Sequence, residues 1–307
     1  MTKNACAKRA FAIFSALVLT LGLVSCSGEQ LDAPLFGTAG AESDVVNTPD
    51  SEVDYTVTFD GTAYAASDSS ALAVEEGTGA IVFIKAGVYR LSGCREGQIQ
   101  VSVSKEQRVT LILENLDVEC KNSAAIYVKS ADRVFIEAHE GTVNTLTDGA
   151  KYDLPDYETK PNACIYSSED LVIRGSGALT VTGNYNNGIG CKNDLMIGGV
   201  SLTVSAPNNA IKGNESVTLS GGGSVTVTAA EDGIKSDSTV IGKGFVSVES
   251  GAEISVTCTD DAITGLQKVT VAEGAKVTCA CGGNPINCDG LDGAGGLVDV
   301  AEGALIS

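Results

Sequence analysis

The chain has no tryptophan, a single histidine and only six prolines in 307 residues. The missing tryptophan weakens the case for an indole platform under a sugar. The lone His139 sits in His139-Glu140-Gly141 and reads as a solvated turn residue, so a Ser-His-Asp triad or a histidine-held metal is poorly supported. Basic residues are few. Twenty Lys and Arg against 39 Asp and Glu give a net charge of −19, which argues against nucleic acid and anionic lipid heads and permits cations. No Cys-x-x-Cys pair occurs, which argues against a zinc site. The apolar run at 11–23 is too short to span a bilayer comfortably.

That run has the proportions of an export signal. Lys3, Lys8 and Arg9 precede it, and it ends in Leu23-Val24-Ser25-Cys26, which resembles the bacterial lipoprotein signal. The expectation is a signal peptide over 1–25, a lipidated Cys26, and an exported protein held on the extracellular face of the cell membrane by its acyl chains. Cleavage there takes the net charge from −19 to −22. Residues 26–52 carry acids and no Lys or Arg, and read as a disordered tether. Residues 53–307 are long enough for one domain with a large core.

Abundant Gly, Val, Ser and Thr, in short β-branched runs broken by glycines, indicate an all-β fold. Its architecture follows from one recurring phrase. Asn186-Asn187-Gly188-Ile189 is followed by Asn208-Asn209-Ala210-Ile211, Glu231-Asp232-Gly233-Ile234 and Asp260-Asp261-Ala262-Ile263. Further rungs end in Ile126, Ile165 and Ile286. A coil of about 22–24 residues carrying two or three short strands predicts a parallel β-helix, each coil stacked on the last at about 4.8 Å. An apolar residue six positions after each isoleucine (Leu171, Leu195, Val217, Val240, Val269) marks a second inward column.

The isoleucines form an internal aliphatic ladder, and the small residue before each lets the chain pass closely. Two before each isoleucine stand Ala124, Ala163, Asn187, Asn209, Asp232, Asp261 and Asn284. Stacked asparagines there form a hydrogen-bonded ladder. Acids in the same place repel each other and need a partner. Lys212 and Lys235 are one choice. Calcium is the other, bound by Glu231, Asp232, Asp237, Asp260 and Asp261, since clustered carboxylates suit a hard cation. Solvated acids on a turn edge are the bland reading.

One after each isoleucine, Tyr127, Tyr166, Lys212 and Lys235 share a column that reads either as a saccharide-binding stripe or as ordinary exposed strand surface. The long step between Ile126 and Ile165 marks an insertion over 144–161. Its Tyr152, Asp153, Asp156, Tyr157 and Glu158 suit saccharide contact, calcium contact or simple edge capping. Cys258 and Cys281 share another column and are expected as buried thiols, although a disulfide is compatible.

Residues 122–128, 162–173, 184–194 and 231–237 together resemble bacterial lipoproteins described as carbohydrate-binding domain-containing, a family of right-handed parallel β-helices related to pectate-lyase-like folds, especially polysaccharide lyase family nine. The resemblance covers about residues 80–280. It implies calcium binding and attachment to plant cell-wall polymers, acidic galacturonan and cellulose among them. Helices of this family usually run on to further coils, so the present chain reads either as a fragment or as a helix whose last coil is capped in another way.

Three functions follow as expectations. The first is a surface lipoprotein that binds polysaccharide through calcium without catalysis. The second is a calcium-dependent polygalacturonate lyase with Lys212 or Lys235 as base. The third is an adhesin or structural stalk.

Overall fold

The computed structural model describes residues 52–153, 161–291, 293 and 295–307. The signal, the tether, Cys26, Asp156, Tyr157 and Glu158 lie outside the described residues. Among the described residues, regular helix is confined to a short 3-10 turn at Ser69–Ala71, and no helix is long and apolar enough to cross a membrane.

The strands stack as the repeat requires. Each clear coil carries three of them. One coil is Ile211–Gly213, Ser216–Leu219 and Ser224–Ala229, and each pairs in parallel with its counterpart on the coils before and after. The first strands of the coils form a ten-stranded sheet, and the other two columns merge into an eighteen-stranded sheet. The merger has a local cause. The long strands Gly87–Glu96 and Arg108–Glu119 run through the corner between the two columns, with a register shift after Ser92 and a left-handed Asn115 at φ 54°. An extra residue at such a bulge bends the strand without ending it.

Alternation decides which side chains face inward. In Ser224–Ala229, Val225, Val227 and Ala229 are buried while Ser224, Thr226 and Thr228 face solvent. The isoleucine ladder is in register from Ile126 through Ile165, Ile189, Ile211, Ile234 and Ile263 to Ile286. It also extends backwards through Ile99 to Ile81, which no phrase marks. The small position is required at Gly233, where a Cβ would lie 2.4 Å from Val256 Cγ1 and 2.7 Å from the Ala262 carbonyl oxygen.

Two sequence expectations need correction. Val240 is not in the second inward column. It is 57% exposed, and Val246 takes its place between Val217 and Val269. The longer step from Ile234 to Ile263 is spent on a loop after Ile234–Ser236, and an apolar residue in a loop has no core to enter. The insertion starts later than residue 144, because Val143–Thr147 is a regular strand whose buried Asn144 accepts a hydrogen bond from Leu116 N at 2.9 Å. The first coil also carries antiparallel pairings. Ala63–Ala66 folds back antiparallel on Tyr55–Gly61, and Leu72–Val74 pairs antiparallel with Ile81–Phe83.

Candidate functional site

The repeated phrase places its second residue, Asn187, Asn209, Asp232 and Asp261, at a buried corner of successive coils, and there the side chains bond along the stack. Asn187 Oδ1 accepts from both the backbone N–H and the Nδ2 of Asn209, each at 3.2 Å. Asp232 Oδ1 accepts from Asp261 N at 3.2 Å, and Asp261 Oδ1 accepts from Asn284 N at 2.6 Å. The ladder asks each side chain for an acceptor oxygen, so an acid can replace an amide. It cannot donate back. Asp232 has no side-chain amide hydrogen to offer Asn209 Oδ1, and that oxygen is buried without a hydrogen-bond partner among the described residues. The ladder is interrupted at this amide-to-acid step.

On the next coil the acids converge. The carboxylates of Asp232, Asp260 and Asp261 offer oxygens within 4.8 Å of one another. Asp232 and Asp261 are buried and Asp260 is exposed. Of the five acids expected to ligate a cation, Glu231 and Asp237 fall outside this group. Glu231 is exposed one coil away from Asp260, and Asp237 pairs with Lys212 at 2.5 Å.

Lys235 Nζ lies 2.6 Å from Asp232 Oδ2, and Asn287 Nδ2 donates to Asp261 Oδ2 at 2.6 Å. Each carboxylate oxygen has a second lone pair. Three oxygen donors with an orphaned buried amide oxygen on the adjoining coil fit a hard cation such as calcium in donor chemistry. For Lys235, partial burial works to lower the pKa. The hydrogen bond and charge of Asp232, with Asp237 and Asp289 beyond, outweigh it, and the net shift is upward.

The register puts Tyr127, Tyr166, Gly190, Lys212, Lys235, Thr264 and Asn287 in one column as expected. Only part of it reaches the surface. Tyr127 and Tyr166 are 4% and 6% exposed and form a second apolar cluster with Ala124 and Ala163, against which Tyr152 packs. The saccharide stripe expected at these two tyrosines is thus corrected to a small buried core on the outer side of the sheet. The insertion supplies Tyr152 to this cluster, and alternation within a strand cannot report that.

Tyr152 is itself tightly held. Its hydroxyl lies 2.5 Å from Asp148 Oδ2 and 2.9 Å from the Ala163 carbonyl oxygen. Asp148 Oδ1 accepts from Asn184 N at 2.5 Å, and Asn184 Nδ2 donates to the Asp148 carbonyl at 2.8 Å. On the next residue, the Tyr185 ring stacks on Tyr152 with centroids 4.2 Å apart and planes at 19°. Tyr185 precedes the Asn186-Asn187 phrase directly, and that adjacency was the available sequence signal for it.

Burial pushes the Asp148 carboxyl up, against the lowering pull of the Tyr152 hydroxyl and the Asn184 N–H. The folded state then holds the proton more tightly than the unfolded chain. Asp148 contributes stability below its unfolded pKa and loses it as pH rises through the folded one. Asp148→Asn should therefore gain stability relative to wild type as pH rises from 4 to 7. Urea midpoints at the two values test this, and a variant-minus-wild-type difference that stays constant or falls between pH 4 and 7 would contradict it.

Cys258 is a buried free thiol pushed up to about 11 by burial, next to Cys281, with the column's second thiol half-exposed and also free.

Comparisons with known proteins agree with this architecture. A family model described as "Carbohydrate-binding domain-containing protein" matches residues 78–296. A protein of the same description from Acetivibrio thermocellus is 38% identical over 187 residues, covering 60% of this chain and 61% of the relative, so the match spans about three-fifths of that relative's length. A solved structure of a polysaccharide lyase-like protein from C. thermocellum, a gadolinium derivative, shares 40% identity with a TM-score of 0.76, over 83% of this chain and 100% of that one. With its parallel coils and a family match over most of its length, the chain belongs to the family of carbohydrate-binding domain-containing proteins.

Proposed function

We propose that the protein binds acidic cell-wall polysaccharide of the galacturonan kind without cleaving it, through calcium held at Asp232, Asp260 and Asp261. The observation that carries this reading is the convergence of three carboxylates from two adjacent coils on one point, two of them fixed by the ladder. Family membership supports carbohydrate as the ligand class. The similar solved protein is a gadolinium derivative, and a lanthanide is a hard, oxygen-seeking cation of the kind three carboxylates suit. Calcium, when held by Asp232, Asp260 and Asp261, would offset most of their charge and supply a hard cation for a uronate carboxylate.

The protein's own residues set the geometry. Asp232 and Asp261 are oriented by their bonds along the stack, and Asp260 turns its carboxylate to solvent. Lys212 and Lys235 lie in register on neighbouring coils and offer ammonium groups to further uronates. The ion pairs of Lys212 with Asp237 and of Lys235 with Asp232 oppose use of either as a neutral base, so binding is preferred to lyase action. An N-terminal lipid anchor at Cys26 would hold the module at the cell surface.

The full chain should sediment with insoluble polygalacturonate in calcium and be released by EDTA, with no ultraviolet-absorbing unsaturated product in the supernatant. Accumulation of that product, lost in Lys235→Ala or Lys212→Ala, would establish the lyase instead. Retention on cellulose alone would replace the acidic ligand with a neutral one.

A further inference from the structure

The third residue before each isoleucine forms an outer rail beside the ladder. Its backbone is continuous. Asn208 N donates to the Asn186 carbonyl at 3.1 Å, Glu231 N to that of Asn208 at 3.2 Å, and Asp260 N to that of Glu231 at 3.3 Å. The side chains change along it from amide to acid. Asn208 Nδ2 donates to Asn186 Oδ1 at 2.6 Å, then Glu231 and Asp260 follow, both exposed.

The rail leads from the carboxylate cluster to an aromatic residue. Tyr185 adjoins Asn186 at the amide end, three coil steps or about 14 Å from the Asp260 coil. Tyr152 has one side on the Tyr127–Tyr166 cluster and its ring stacked on Tyr185, while Tyr185 remains 45% exposed.

An exposed aromatic is ordinarily a mobile surface side chain. This one is fixed from below by a stacked ring and from the chain side by Asn184, whose N–H and side-chain amide are both bound to Asp148. A ring held in advance of binding loses little rotamer freedom when a ligand covers it. In the chain Tyr185 stands between Asn184 and Asn186, and the next residue along the rail, Asn208, bonds to Asn186. A few polar groups placed around an aromatic surface are the usual make-up of a site for a small polar ligand with apolar faces. A pyranose ring has both features, with axial C–H groups on its face and hydroxyls on its rim.

We infer that Tyr185 is the stacking subsite for one sugar of a polysaccharide chain running along the solenoid, across Asn186, Asn208 and Glu231, to the carboxylates at Asp260. The inference rests on the binding function proposed above and adds to it a direction for the polymer and a minimum length. A disaccharide at the carboxylate end does not reach Tyr185, whereas a hexasaccharide does.

Calorimetric titration of the full chain in calcium with digalacturonate and hexagalacturonate tests this. Tyr185→Ala should weaken hexagalacturonate about tenfold. It should leave digalacturonate and the calcium-induced rise in melting temperature unchanged, and Tyr185→Phe should bind as wild type. Because Tyr185 is exposed, an unchanged melting temperature in EDTA verifies that the alanine variant is folded. Hexagalacturonate binding equal to wild type in Tyr185→Ala overturns the subsite and leaves the binding function standing. Equal loss of both ligands overturns it too, since the ring would then belong to the carboxylate end. If the wild type binds neither oligomer, the acidic-polysaccharide function fails and the subsite fails with it.

Discussion

Ile211→Ala should destabilise the folded domain by about 2–5 kcal/mol. Ile211 is fully buried in the middle of the ladder, between Ile189 and Ile234 in register. Truncation removes apolar area and opens a void that the neighbouring coils cannot close, because each coil is pinned to the next by backbone hydrogen bonds on all three of its strands. Ile211→Val, which removes one methylene, should cost about 0.5–1.5 kcal/mol. Urea unfolding measures both. In a stacked repeat each coil touches only its neighbours, so the damage should be centred on adjacent coils. Amide exchange should speed up in 187–236 before it does near Ile99. The double variant with Ile189→Ala should be non-additive, while one with Ile99→Ala should add, since the first pair touches and the second does not. A cost below about 1 kcal/mol for Ile211→Ala would mean that the ladder is in register without being close-packed.

Calcium should stabilise the wild type by about 2.7 kcal/mol when its free concentration is a hundred times the dissociation constant, and EDTA should remove the effect. Asp260→Asn is the informative variant. The carboxylate of Asp260 is exposed and close to Asp232 and Asp261, and the ladder bonds run through the other two residues. Without calcium its charge is a burden on its neighbours. Asp260→Asn should therefore match or exceed the wild-type melting temperature in EDTA and lose most of the rise on adding calcium. The reversal of order between the two conditions is the signature of a cation site. A structural role for Asp260 would lower stability in both. Asp232→Asn is less telling, because it disturbs the bond from Asp261 N and the pair with Lys235 together. Scanning calorimetry of wild type and Asp260→Asn with calcium and with EDTA decides the matter, and an absent calcium shift in the wild type would sink the metal proposal.

The coil was legible because its information is local. One phrase of four residues, recurring at a nearly constant step, locates the isoleucine ladder, the small residue at its corner and the amide column beside it. Alternation over two residues then sorts inward from outward side chains, as in Ser224–Ala229. These features follow from strand geometry, which any short window of sequence carries. Where the step lengthened, the same rule failed. Position counting put Val240 in the core, but the added loop delivered Val246 instead.

What lies over an outward face is not local, and there only the tertiary structure decides. Tyr127 and Tyr166 face out of their strands as alternation requires, yet Tyr152 from the insertion packs on them and makes them core. The sequence offered five acids as equivalent ligands. Stacking brought Asp232, Asp260 and Asp261 to one point and gave Asp237 to Lys212. Tyr185 carried no mark in the sequence beyond its place before Asn186, and its exposure and rigidity come from Tyr152 and Asp148, more than thirty residues earlier in the chain. By itself the sequence determined the solenoid, because a repeated local pattern has one way to stack. The surface chemistry was decided by contacts between segments whose spacing in the chain does not repeat.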